Sequence, residues 1–164
     1  MVKAAFPSSE PDYACQNCYT VLMTPDQEQQ LIDAALEGIK NSYTRYNKPE
    51  DFRVAAAVLT TDGNIYASGS YYSITQSLTL HAEQAVLAHA AAHGEYGIVA
   101  IAVISNDPNE ATINPCGMCK QLLWESRLRS GQEMEMLFID NTNNTITQRK
   151  KLSEIVTYPW PTRL

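Results

Sequence analysis

No stretch of this 164-residue sequence approaches the roughly 20 consecutive apolar residues that a helix needs to cross a bilayer, so no membrane contact is expected. The first twenty residues carry a single Lys and no apolar h-region, so they do not read as a secretory signal, and a cytoplasmic location is the expectation. Clustered basic residues are also missing. Lys and Arg number 12 against 18 Asp and Glu, the net charge is −6, and only Arg149, Lys150 and Lys151 are adjacent. Long nucleic acids are held mainly by clustered Lys and Arg that neutralise phosphates, so the expected partner is a small molecule and no long nucleic acid. There is no internal repeat and no low-complexity block. Cysteine is scarce, four in all, and falls into two CxxC pairs, Cys15/Cys18 and Cys116/Cys119. In a reducing compartment such pairs suggest metal or redox chemistry rather than a disulfide framework.

The remaining pattern is that of one ordinary domain with a single core. Residues 1–23, with Pro7, Pro11, Ser8 and Ser9 and no sustained periodicity, read as an N-terminal extension to a domain over 24–164. Thr24-Pro25-Asp26 with Gln27 is a helix start, and Leu31, Ile32, Ala35, Leu36 and Ile39 continue it at helical spacing, predicting a helix from about 25 to 45. Phe52–Thr60 and Asn64–Ser68 flank the turn pair Asp62-Gly63 and predict a hairpin. Residues 79–93 form an Ala-rich helix stopped by Gly94, Ile98–Ser105 a buried strand, and 116–129 a helix closed by Ser130-Gly131. A strand over 134–140, a turn over 141–144 and a short helix over 151–156 follow. Helices alternating with strands in the second half predict a three-layer α/β/α sandwich with a mixed central sheet.

Two segments carry the chemistry: His81-Ala82-Glu83 and Pro115-Cys116-Gly117-Met118-Cys119, each opening a helix. One imidazole and two thiolates are three good Zn2+ ligands, and a fourth tetrahedral position is left for water. Cys116 and Cys119 are i and i+3, so a first helical turn brings both sulfurs to one side, and Pro115 begins that turn without wasting a donor. The positive ends of the two helices favour thiolates. Glu83 stands beside the ligand set rather than in it. A carboxylate there can take a proton from zinc-activated water and deliver it to a ring nitrogen and a departing amine, which is the logic of hydrolytic deamination.

The HxE…PCxxC spacing resembles the cytidine deaminase superfamily, in the form that uses one His and two Cys, and the likeness of HAEQ, PCGMCKQLLWE and the element order runs over roughly residues 25–160. The resemblance implies that His81, Cys116 and Cys119 hold zinc and that Glu83 is the proton shuttle. It further implies that Phe52, in FRVAAAV, packs on the pyrimidine face, and that backbone groups near Ala82 and Pro115 hold the base edge. Gln84 would polarise the thiolates by hydrogen bonds from behind. It also implies a homo-oligomer, dimer or tetramer, whose sites are completed across subunits.

The segment before His81 departs from that pattern. Where such enzymes carry an Asn-x-Glu element for the ribose hydroxyls, this chain has Ser70 and Tyr72. Blasticidin S deaminases resemble it in having Tyr at the second position. Cytosine-ring chemistry is untouched by the change, whereas ribose recognition is altered. Substrates therefore range over a cytosine nucleoside, a modified one, or another amino-heterocycle; a non-catalytic zinc-binding module is the reading from another class. Ser70 and Tyr72 either contact substrate or merely alternate along a strand. Cys15/Cys18 is either a pair of free thiols or half of a metal clip or redox pair. His89 and His93 are expected at the helix surface, Trp124 in the core or a subunit contact. The tail TYPWPTRL either covers a neighbouring site or simply packs.

Overall fold

Thr24 opens the first helix in the computed structural model, which describes residues 22–107 and 113–162. Its hydroxyl accepts the Gln27 N–H at 3.2 Å, and the Gln27 side chain accepts the Thr24 N–H at 3.0 Å. This reciprocal cap, with Pro25 in the first turn, fixes the start of α1 (Pro25–Lys40). Of the expected N-terminal extension over 1–23, residues 1–21, including Cys15 and Cys18, lie outside the described residues.

Helix α1 ends five residues earlier than its periodicity suggests. The chain beyond Asn41 is drawn to the sheet instead: Ser42 Oγ donates to Val54 O at 2.6 Å, Tyr43 N to Ser70 O at 2.9 Å, and Tyr72 N to Tyr43 O at 2.9 Å. Gly69 makes this approach possible, since a Cβ there would lie 2.5 Å from both Cα and N of Ser42.

The hairpin forms as expected. Strands β1 (Val54–Thr60) and β2 (Ile65–Gly69) pair antiparallel, and Gly63 takes φ 85° in the turn. Helix α2 (Ala82–Ala92) follows, then β3 (Ile98–Ser105), which pairs antiparallel with β1. Helix α3 (Gly117–Ser130), closed by Gly131 at φ 65°, returns the chain to β4 (Glu135–Ile139), parallel to β3. Strand β5 (Ile146–Lys151) pairs antiparallel with β4 and leads into α4 (Leu152–Ile155). The sheet order is β2-β1-β3-β4-β5.

Both faces of this mixed sheet are covered, so β3 is buried along its whole length. On one face Leu31, Ile32 and Ala35 of α1 pack against Ala55, Ala57 and Ala102. On the other, Val86 and Ala90 of α2 and Leu123 of α3 pack against Ala56, Val58, Ile101 and Val103. This is the three-layer α/β/α sandwich that the element order predicts. Strand β5 is the element the sequence reading lacks: ITQRKK is nearly all exposed, and its charges suit an edge strand that must not pair further.

Below α3, buried Arg127 pairs with Glu133 at 2.9 Å and stacks over Trp124 at 4.7 Å. Trp124 is a core residue, 1 % exposed, and its indole N–H donates to Pro161 O at 2.7 Å, docking the C-terminal tail on α3.

Candidate metal centre

The two chemistry-bearing motifs meet at the starts of α2 and α3. His81 is the N-cap of α2 and Cys116 the N-cap of α3, both in extended conformation, so the ends of the helices that carry unpaired N–H groups converge here. His81 Nδ1 lies 3.4 Å from Cys116 Sγ and 3.4 Å from Cys119 Sγ, and the two sulfurs are 3.6 Å apart. Among the described residues this is the one group of three or more His, Cys, Asp or Glu with ligand atoms close enough to share a metal ion.

The triangle fits zinc. Tetrahedral coordination at standard Zn–S and Zn–N lengths gives donor separations of about 3.8 Å between two sulfurs and about 3.6 Å between sulfur and nitrogen. The chemistry of the donors fits as well. Burial first, then the charge of Glu83 and hydrogen bonds to Cys116 and Glu83, push the Cys119 thiol far above its ordinary range. Such a thiol becomes a thiolate when a cation displaces its proton. His81, Cys116 and Cys119 supply three donors, the count of an open site rather than a closed structural one.

Beside the triangle opens a hollow of about 250 Å3, lined by Phe52, Val54, Ser70, Ala82, Glu83 and Asn114 together with His81, Cys116, Thr79 and Ile113. Glu83, in the first turn of α2, is 4 % exposed yet borders this space. Thr79, two residues before His81, and Asn114, beside Pro115, were legible only as neighbours of the motifs. Val54 and Ile113 carried no signal beyond apolarity.

The other expected contacts divide. Phe52 and Ser70 line the hollow, as does buried Ala82. Pro115 is buried between the lining residues Asn114 and Cys116. Tyr72 does not border the same space. It lines a second hollow of about 290 Å3, which shares Phe52, Ser70 and Thr79 with the first. Gln84 holds the backbone rather than a sulfur. Its amide oxygen accepts the His81 backbone N–H at 3.0 Å, and its side chain borders a groove with Leu87 and Leu122 between α2 and α3. It thus bears on the ligand His81 through the backbone, with no hydrogen bond to a sulfur. His89 and His93 are surface residues, their Nδ1 atoms against Ala67 O at 3.1 Å and His89 O at 3.0 Å.

Comparison with known proteins agrees with this geometry. The family described as the cytidine and deoxycytidylate deaminase zinc-binding region matches residues 25–131. A cytidine deaminase of Sporosarcina psychrophila is 31% identical over 97 residues, which span 59% of this chain and 68% of that one. A probable cytidine deaminase of Dictyostelium discoideum is 29% identical over 99 residues, 60% of this chain and 65% of the relative. The crystal structure of cytidine deaminase from Burkholderia pseudomallei superimposes with a TM-score of 0.69 at 25% identity, over 84% of this chain and 100% of that one. The chain belongs to the family of the cytidine and deoxycytidylate deaminase zinc-binding region.

Proposed function

We propose that this protein is a zinc-dependent hydrolase that removes the amino group from the cytosine ring of a nucleoside or nucleoside-like small molecule and releases ammonia. The observation that carries the reading is the His81–Cys116–Cys119 triangle with the buried Glu83 carboxylate, where His81, Cys116 and Glu83 border one hollow. Zinc, when bound, supplies Lewis acidity that lowers the pKa of water towards ~7.

The chain's own groups supply the rest. Glu83 takes a proton from the attacking water and passes it to the ring nitrogen, and then assists departure of the amine as ammonia. Its burial keeps bulk water from competing for that proton. Phe52 borders the hollow where it can cover a flat ring, and the backbone around Ala82 and Pro115 holds the base edge. Gln84 fixes the start of α2, and with it the placement of His81.

On this reading residues 24–164 form the catalytic domain, working in the cytoplasm as a homo-oligomer. Among the described residues no helix is long and apolar enough to cross a membrane. The test is the ultraviolet change on incubating zinc-analysed protein with cytidine, deoxycytidine, cytosine and blasticidin S. Loss of the amino-pyrimidine band with any of them is expected; zinc-loaded protein inert towards all four contradicts the reading.

A further inference from the structure

The chain has three histidines. His81 belongs to the metal centre; the other two, His89 and His93, are exposed and stand four positions apart, His93 being the C-cap of α2. Residues i and i+4 of a helix share one face. The two rings lie 5.2 Å apart between centroids. The Tyr66 ring of β2 packs against both, 5.1 Å from His89 and 4.9 Å from His93.

Each ring has one nitrogen spent and one unspent. His89 Nδ1 lies 3.1 Å from Ala67 O, and His93 Nδ1 lies 3.0 Å from His89 O. A carbonyl oxygen only accepts, so both Nδ1 atoms carry the proton and both Nε2 atoms keep their lone pairs. Neither Nε2 has a hydrogen-bond partner among the described residues. Metal-ligating histidines are held in this way, one N–H donated to a backbone carbonyl and the other nitrogen left for the ion.

Spacing and charge both suit a cation. With Zn–N bonds of about 2.0–2.1 Å and each nitrogen about 1.1 Å from its ring centre, two imidazoles on a tetrahedral ion have centroids about 5.2 Å apart. The observed separation is the same. The pair stands at the C-terminal end of α2, where the last carbonyls favour positive charge. Glu95, two residues beyond His93, adds a negative charge. Hydrogen bonds from Thr60, Tyr66 and Asn64 hold its carboxyl below its ordinary value, and the charge of His93 acts on it in the same direction.

We propose that His89 and His93 form a second metal site, a two-imidazole clamp for a divalent transition cation such as Zn2+, with water filling the remaining positions. Imidazole nitrogens suit Zn2+, Cu2+ and Ni2+, whereas Mg2+ and Ca2+ take oxygen ligands. Two neutral donors hold zinc more weakly than the His81, Cys116 and Cys119 set with its two thiolates, so this site exchanges metal while the first stays filled. His89 lies eight residues past His81, roughly 12 Å along the helix, so the two sites take separate ions. The clamp does not depend on what reaction the first site performs.

The test is calorimetric titration of ZnCl2 into the tag-free, zinc-loaded full chain, with the wild type beside His89→Gln and His93→Gln. The wild type should take up one further zinc per chain. Each substitution should weaken that uptake at least about tenfold, with the resident zinc unchanged by atomic absorption. No further uptake by the wild type overturns the proposal, and so does uptake that either substitution leaves unchanged, since a clamp needs both rings. Nitrogen NMR of the wild-type imidazoles decides the same point without a variant. Before zinc is added, both rings should be protonated at Nδ1, and zinc should then shift Nε2 of both. Resonances that zinc leaves in place overturn the clamp.

Discussion

His81 Nδ1 and Cys116 Sγ stand 3.4 Å apart although 35 positions separate them in the chain. They meet because α2 and α3 pack on the same face of the sheet and both begin at the same end of it. The site therefore depends on two helix starts, and Cys119 joins it as the i+3 neighbour of Cys116 on the first turn of α3.

Metal content tests that arrangement. The purified protein should carry about one zinc per chain, and Cys119→Ser should lose it, because a hydroxyl is a poor substitute for a buried thiolate ligand. Chelation should lower the melting temperature of the wild type and leave Cys119→Ser nearly unmoved. Atomic absorption and thermal scans measure both; equal zinc in the two proteins would contradict the ligand set.

Gly69 controls the segment that frames the second hollow. A methyl group there would meet Ser42 Cα and N at 2.5 Å, and backbone cannot swing aside as a flexible side chain can. Gly69→Ala should therefore cost about 1–3 kcal/mol of stability, as overpacking does. Urea titration reads this directly, and an unshifted midpoint would show that Ser42 yields without cost.

Glu133→Ala should be more damaging. It leaves the Arg127 guanidinium, 2 % exposed, without its ion-pair partner, and breaking one side of a buried pair typically costs about 3–5 kcal/mol. A double variant, Arg127→Met with Glu133→Leu, should recover most of that loss in the same denaturation measurement.

Glu95 gives the fold an acid dependence. Hydrogen bonds from Thr60, Tyr66 and Asn64 hold its carboxyl below the ordinary value of 4.5. A carboxyl depressed on folding contributes stability above its unfolded value, and that contribution disappears as pH falls through the lower folded value. Stability measured from pH 7 down to pH 3 should fall less steeply in Glu95→Gln than in the wild type; parallel profiles would contradict the linkage.

Most of the frame could be read from local patterns. The Thr24 cap, the Asp62-Gly63 turn, the apolar run of β3 and the Gly131 stop each act over a few residues, so the sequence displays them directly. The metal centre was legible for the same reason: each half is a short motif at a helix start. What stayed hidden depends on distant partners. The pull of Val54 and Ser70 on residues 42–43 ends α1 early, and no local signal announces it. Strand β5 exists through its pairing with β4, while its own residues read as polar surface. Tyr72 and Arg45 share a hollow only because the loop after α1 is laid against the end of β2.

The proton-shuttle role of Glu83 is the central claim, and one variant tests it most directly. Glu83→Ala should bind zinc at wild-type stoichiometry and lose at least about 10²–10⁴-fold in kcat for cytosine deamination, the contribution typical of general acid–base catalysis. Full zinc content with undiminished turnover would contradict the account.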